Sequence, residues 1–202
     1  MIRIYGYPGS TCSRKVICTC HELGVPFELE VVDLMKDEHL RPEHLALHPF
    51  GKIPVIDDAG LLLYESHAII QYLDERQGGT LMPSDPRERA RARQWMSVEQ
   101  SYVASAAMTQ VFHHLFGIRQ EPSALQQAED ALGRAFDVLA ANLATRPYLA
   151  GDTFSLADIT FLPYVEYLMK IPTASAIRGR PSLIGWWSRC AERPSWRRTV
   201  EP

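Results

Sequence analysis

The first part of the chain alternates between short β-branched or aromatic runs and one helical repeat of apolar residues. The run Ile2–Tyr7 predicts a strand, and apolar residues then recur at helical spacing after Ser13 until Gly24 ends the pattern. Phe27–Asp33 alternates apolar and polar residues and predicts a second strand. A β-α-β beginning of this kind favours a right-handed crossover between parallel strands.

A polar segment, a hairpin and a helix are predicted next. Residues 34–48 are polar and are broken by Pro42, which indicates a loop with a short helix. Two short apolar runs flank the turn residues Asp57–Gly60 and predict a β-hairpin. Ser66 then begins a helix whose apolar residues repeat at helical spacing. The predicted order of elements is therefore β-α-β-α-β-β-α, ending near Gln77.

The remaining residues carry helical patterns and no strand pattern. Asp85 is placed to cap the first of these helices, with Pro86 at the first helical position. The predicted helices are 86–117, 124–144, 156–170 and 182–190. We therefore predict an α+β architecture with a small mixed domain at 1–77, a linker at 78–85 and an all-α domain at 86–202.

Composition and charge narrow the classes of function. The chain has 202 residues and a formal net charge of −3 at pH 7, which gives no reason to expect a nucleic-acid partner. No apolar run is long enough to span a membrane, so we expect no membrane partner. Four cysteines without zinc spacing and a strand-like beginning in place of a signal peptide predict a reducing, cytoplasmic location and no metal site.

Two features of the hairpin segment suggest a site for a small peptide with a carboxylate. Pro54 cannot donate to a sheet ladder, and a cis bond before it would turn the backbone of Ile53 outward to pair with an extended peptide. Ser66 at a helix start would place N–H groups where a carboxylate can bind. An ordinary proline at a strand end and an ordinary serine cap are the alternative, and this segment alone does not decide between them.

The junction of the first strand with the first helix carries two chemical candidates. Ser10 can donate a hydrogen bond to an anion, and Cys12 near a helix N-terminus can have a lowered pKa and act as a nucleophile. The alternative is simple capping by Ser10 or Thr11, with Cys12 as a small packed residue. On these residues alone, the capping interpretation is favoured.

Motifs along nearly the whole chain resemble the glutathione transferase superfamily. In order, they are YPGSTCSRKV, HPFGKIPVID, YESHAIIQYL and YLAGDTFSLADITFLP. Within the superfamily the resemblance is greatest to the phi class and its bacterial relatives. It implies a thioredoxin-like N-terminal domain that binds glutathione, followed by an all-α C-terminal domain that lines most of an electrophile site.

The resemblance also implies roles for single residues. Ser10 matches the serine that hydrogen-bonds the glutathione sulfur, and Ile53 with Pro54 matches the backbone pair that holds the cysteinyl unit. Glu65 and Ser66 match the pair that binds the γ-glutamyl end. His39 matches the residue near the glycine carboxylate, and Lys52 lies close to the same end of glutathione.

Two positions depart from the phi pattern. Leu40 stands where phi members often have a basic residue, and Arg41 follows one position later. The run Ser10–Ser13 resembles the zeta class, whose members isomerise a maleyl keto-acid with glutathione. Cys12 would also allow thiol–disulfide exchange, as in omega- and beta-like members, and a non-catalytic ligand-binding protein on the same fold is a further alternative.

The resemblance as a whole implies a cytoplasmic, homodimeric glutathione transferase that acts in detoxification. Glutathione would be the co-substrate and a small hydrophobic electrophile the second substrate, with Ser10 stabilising the thiolate and not acting as a nucleophile. Phe50 matches an aromatic residue that inserts between helices of the partner subunit in many family dimers. Asp158 matches the family's structural capping box, so we expect it to act in folding and not in catalysis.

Overall fold

The computed structural model describes residues 1–201, and these fall into two compact units. The first unit is Met1–Thr80 together with the segment that begins at Arg193, and the second is Leu81–Glu192. Across residues 1–201, no helix combines the length and the apolar character that crossing a membrane requires.

The first unit is built on a four-stranded sheet with the order β2-β1-β3-β4. β1 is parallel to β2 and antiparallel to β3, and β3 is antiparallel to β4. Two 3₁₀ turns (Leu34–Lys36 and Glu38–Leu40) lie between β2 and β3. The regular elements are β1 (Ile2–Gly6), α1 (Thr11–Leu23), β2 (Phe27–Val31), α2 (Pro42–Leu45), β3 (Val55–Asp58), β4 (Leu61–Tyr64) and α3 (Ser66–Arg76). The predicted mixed N-terminal domain is confirmed.

Local sequence accounts for the ends of α1. Ser10 has an extended backbone, and its side-chain oxygen accepts the N–H of Ser13 at 3.3 Å, as expected of a capping serine. Gly24 adopts φ 65° in the left-handed region and ends the helix, which glycine does without a steric penalty. Val16 is fully buried, as is Ile4 of β1, so helix and strand both contribute to the core.

The last helix, α10 (Pro194–Val200), packs against α1 and so belongs to the first unit. Arg193 and Ser195 both hydrogen-bond to the carboxylate of Glu22, and Trp196 is 1% exposed. The sequence pattern instead predicts this segment as part of the all-α domain at 86–202. A helix this short carries too little apolar repeat to show which domain it packs on, so the pattern could not reveal the difference.

The second unit is helical throughout its described residues. Its helices are α4 (Pro86–Val98), α5 (Ala104–His114), α6 (Pro122–Leu143), α7 (Leu156–Leu168), α8 (Ala174–Arg178) and α9 (Pro181–Ala191). The helix predicted at 86–117 is interrupted by a π-helical turn at Glu99–Val103, and α8 lies where no helix was predicted. The all-α prediction is nevertheless confirmed for this unit.

Asp158 organises the N-terminus of α7 from a fully buried position. One carboxylate oxygen accepts the backbone N–H and the hydroxyl of Ser155, both at 2.9 Å, which completes the expected capping box. The other accepts the N–H of Leu149 at 3.0 Å and the indole N–H of Trp186 at 2.8 Å. Burial raises the pKa of Asp158, against the opposing effect of these donors. The geometry supports a folding role.

Candidate functional site

Ser10 lies immediately before the first residue of α1 and is partly exposed. Its N–H donates to the carbonyl of Tyr7 at 2.9 Å, and its hydroxyl oxygen accepts from Ser13. A serine hydroxyl carries a proton of its own besides its two lone pairs, so it can accept and donate together. The capping role favoured by the sequence is therefore present, and it is compatible with donation to an anion.

The turn that presents Ser10 is held by a buried serine, Ser13, to which the sequence pattern assigns no role in the site. Ser13 is fully buried, and its hydroxyl oxygen accepts the N–H of Tyr7 at 3.2 Å. A Cβ atom on Gly6 would lie 2.7 Å from this oxygen, closer than real contacts allow. A side chain at Gly6 would therefore displace the Ser13 hydroxyl that accepts from Tyr7.

Cys12 differs from the other three cysteines in its exposure. It is partly exposed at the second position of α1, whereas Cys18, Cys20 and Cys190 are buried. Burial raises the pKa of the Cys18 and Cys20 thiols to about 12, so both stay protonated near neutral pH. Among the four thiols, Cys12 has the setting that suits reactivity.

Ile53 lies just before the paired part of the sheet. The bond from Ile53 to Pro54 is cis, and the pairing of β3 with β1 begins at Val55 opposite Tyr5. Within residues 1–201 the backbone of Ile53 makes no hydrogen bond. Its N–H and carbonyl are thus open to an extended ligand, in the manner of strand addition.

The start of α3 combines an unusual backbone conformation with a helix N-terminus. Glu65 has φ 70° and ψ 108°, a region that residues other than glycine seldom adopt and that costs about 1–3 kcal/mol. Ser66 is the first helical residue, and no side chain in the described structure caps the helix. N–H groups in a first helical turn lack intrahelical acceptors, so this position suits a carboxylate.

The imidazole of His39 and the ammonium group of Lys52 are further polar groups of the first unit. The Nδ1 atom of His39 is buried and, within residues 1–201, has no hydrogen-bond partner. A buried polar atom left in this state costs about 1–3 kcal/mol, which a bound carboxylate would recover. Lys52 is exposed, whereas the guanidinium of Arg41 forms an ion pair with Glu38 at 3.4 Å.

Two histidines that the sequence analysis did not single out lie beside these groups. His44 is 5% exposed, and its Nε2 lies 2.7 Å from the carbonyl oxygen of Lys52. The Nδ1 of His48 accepts the N–H of Phe50 at 3.3 Å, and its ring packs 4.5 Å from that of Tyr64. Burial lowers the pKa of His48, which favours the neutral form that such an acceptor requires.

Comparison with known proteins identifies the family. Residues 4–81 match the N-terminal domain of glutathione S-transferases, and residues 104–194 match the C-terminal domain. Glutathione S-transferase F10 of Arabidopsis thaliana is 38% identical to this chain over 98% of the chain and 95% of the relative. The chain belongs to the glutathione S-transferase family.

Solved structures agree with this assignment. Glutathione transferase F2 from Populus trichocarpa has a TM-score of 0.95 and 31% identity, covering 100% of this chain and 98% of its own. Glutathione S-transferase I from maize, solved with an atrazine glutathione conjugate, has a TM-score of 0.90 and 29% identity, covering 98% and 96%. The predicted transferase fold and phi-like resemblance are confirmed.

The second unit of this glutathione S-transferase family member carries a row of aromatic rings. The ring of Phe116 lies 5.9 Å from that of Tyr167 and 6.2 Å from that of Phe112, measured between centroids. Phe116 is 51% exposed, and the neighbouring Ile118 is 52% exposed. An exposed apolar patch of this kind suits contact with an uncharged, hydrophobic molecule.

An open groove of about 630 Å³ lies elsewhere in the second unit, between α6 on one side and α4, the π-helical turn and α5 on the other. Its walls are mostly small or apolar side chains, including Val98, Ser105, Ala128, Ala131, Ala135 and Val138.

In the first unit, Phe50 is 71% exposed, which is high for an aromatic side chain.

Proposed function

We propose that the chain binds glutathione on its first unit and transfers it to small hydrophobic electrophiles. The observation that carries this proposal is the Ser10 hydroxyl, held at the N-terminus of α1 with its turn fixed by Ser13. The family membership supports it, as do relatives named glutathione S-transferases at 30–38% identity over nearly their full length. Glutathione would be a co-substrate that is consumed in each turnover.

Ser10 would act by stabilising the glutathione thiolate. An ordinary thiol has a pKa of about 8.5 and is mostly protonated at neutral pH. A hydroxyl donor and the positive end of a helix both favour the charged form, and each unit of pKa lowering is worth about 1.4 kcal/mol. The thiolate would attack an electrophilic carbon and form a C–S bond, while the leaving group departs with its electron pair.

The ends of glutathione would be held by the other groups described above. The γ-glutamyl carboxylate would bind at Glu65 and Ser66, where the start of α3 offers N–H groups. The backbone of Ile53 before Pro54 would pair with the cysteinyl unit, and the glycine carboxylate would bind at the residues with positive or donor groups, His39 and Lys52.

Calorimetric titration with glutathione, followed by a conjugation assay with an aryl halide, tests the proposal. We expect saturable binding, turnover, and weaker binding of γ-glutamylcysteine, which lacks the glycine carboxylate. Binding without turnover would favour a zeta-type isomerase, a disulfide reductase or a carrier. Absence of glutathione binding would overturn the proposal.

The partial exposure of the Cys12 thiol supports one alternative activity, thiol–disulfide exchange with glutathione. The partly exposed thiol lies in the first turn of α1, two residues after Ser10. A thiolate there would attack the mixed disulfide of a substrate with glutathione, displace the substrate thiol and become glutathionylated. A second glutathione would then attack this new disulfide, which frees the Cys12 thiol and forms oxidised glutathione. The comparison of Ser10 and Cys12 variants described in the Discussion separates this activity from conjugation.

The proposal extends to a cytoplasmic homodimer that acts in detoxification. Free cysteine thiols suit a reducing compartment. For the dimer, we infer that the exposed Phe50 of one copy inserts into the groove along α6 of a second copy. Small groove residues such as Ala131 and Val138 leave room for an aromatic ring, and a buried aromatic anchor is a frequent hot spot.

Replacing Phe50 with alanine is expected to weaken self-association at least about 30-fold, because hot-spot aromatics contribute about 2 kcal/mol or more and a symmetric dimer contains the contact twice. Sedimentation velocity over a range of concentrations measures the effect. Met35→Ala is the matched control, since Met35 is also apolar, lies in the same unit and is 92% exposed. Ala131→Arg, which would fill the groove, should weaken association as well. Unchanged association in both Phe50→Ala and Ala131→Arg would refute this interface.

A further inference from the structure

The residues just before β3 depend on a buried side chain of α2. His44 is 5% exposed, and its Nε2 lies 2.7 Å from the carbonyl oxygen of Lys52. Because a carbonyl oxygen only accepts, the Nε2 atom must carry the proton and donate it. The imidazole is thus fixed in the tautomer protonated at Nε2 or in the cation, and its donor is fully used on the backbone.

The bond from His44 acts on one specific peptide unit. The carbonyl of Lys52 and the N–H of Ile53 belong to the same planar group, and in a trans peptide they point in opposite directions. Ile53–Pro54 is the cis bond of this segment, so the Lys52–Ile53 bond is trans. By fixing the direction of the Lys52 carbonyl, His44 therefore also fixes the direction of the Ile53 N–H, away from α2.

Close packing around Gly51 restricts the same segment from the other side. Gly51 has φ +58°, and a Cβ atom there would lie 3.1 Å from the carbonyl oxygen of His39 and 3.0 Å from Leu40. The chain therefore passes directly against the 3₁₀ turn that carries His39. The N–H of Gly51 also donates to the carbonyl of His48 at 2.9 Å. The segment is held at several points, and His44 supplies the side-chain donor to Lys52.

We propose that His44 is a positioning residue for glutathione, which aims the Lys52–Ile53 peptide unit at the cysteinyl part of the bound tripeptide. This role rests on the proposed function, because it concerns the same binding site. His44 does not contact the ligand in this account, since it is buried and its donor is occupied. Its loss should change affinity for glutathione and leave the sulfur chemistry at Ser10 unaltered.

Three substitutions separate this role from a general packing role. His44→Phe keeps a ring of similar size but removes the donor. His44→Gln places an amide nitrogen at nearly the reach of Nε2, whereas His44→Asn is too short. We expect His44→Phe and His44→Asn to raise the KM for glutathione about five- to tenfold, the range for one hydrogen bond. His44→Gln should stay within about twofold of wild type, as should kcat and the KM for the electrophile in all three variants.

Steady-state kinetics with each substrate varied in turn provide the measurement, and thermal unfolding checks that each variant is folded. If His44→Phe does not fold, the comparison of His44→Gln with His44→Asn carries the same test. The positioning role alone would be overturned if wild type binds glutathione and the folded His44→Phe and His44→Asn variants show an unchanged KM for glutathione. An equally large rise in the KM for glutathione in His44→Gln would also overturn this role. A wild type that does not bind glutathione would overturn the proposed function and this role with it.

Discussion

Ser10→Ala should lower kcat/KM for conjugation about 50-fold at pH 6.5, because the bound thiol would lose its hydroxyl donor. A pKa that returns from about 6.5 to about 8.5 reduces the thiolate fraction at this pH by roughly that factor. The effect should shrink as the pH rises, since the free thiol ionises by itself near pH 9. The pH profile of kcat/KM for the electrophile, measured at saturating glutathione, reports the shift as a rise in the apparent pKa on its acidic side.

Two control variants define what the Ser10 result means. Ser10→Thr keeps the hydroxyl and should retain more activity than Ser10→Ala. Cys12→Ala should leave conjugation within about twofold of wild type, since no thiol of the protein takes part in that step. If Cys12→Ala abolished activity and Ser10→Ala did not, the chemistry would be assigned to Cys12. Loss of the cap bond to Ser13 should itself cost about 1 kcal/mol of stability, which thermal unfolding would report separately.

Asp158→Ala should destabilise the second unit by about 3–5 kcal/mol, because several buried donors would lose their acceptor at once. Its carboxylate accepts from the backbone of Leu149 and Ser155, the Ser155 hydroxyl and the indole of Trp186, at 2.8–3.0 Å. A buried donor without a partner costs about 1–3 kcal/mol, and relaxation recovers part of the sum. Urea denaturation followed by tryptophan fluorescence measures the change.

Asp152 provides the matched control for this prediction. It is an exposed aspartate in the loop that precedes α7, so Asp152→Ala should change stability by less than about 0.5 kcal/mol. A small effect of Asp158→Ala, comparable with that of Asp152→Ala, would mean that water or a rearranged turn satisfies the donors. Glutathione affinity measured below the unfolding transition should be unchanged in both variants, since the proposed contacts lie in the first unit.

Features that depend on neighbouring residues were predictable from the sequence, and features that depend on folded contacts were not. The end of α1 followed from Gly24, and its capping residue was limited to Ser10 or Thr11, because capping and left-handed termination are local. The π-helical turn at Glu99–Val103 and the attachment of α10 to the first unit follow from packing, which no periodicity records. The same distinction limits the site: Ser66 is visible as a helix start, whereas His44 acquires its role only when the loop brings Lys52 to it.

The packing of α10 has a consequence for biosynthesis. The ion pair between Glu22 and Arg193 joins residues 171 positions apart, with the whole second unit between them in the chain. As the polypeptide leaves the ribosome, residues 1–80 of the first unit emerge early, but the unit lacks this helix until the whole second unit has been synthesised. The helical unit can therefore fold before the first unit is complete, in contrast to the usual order in which N-terminal domains are completed first.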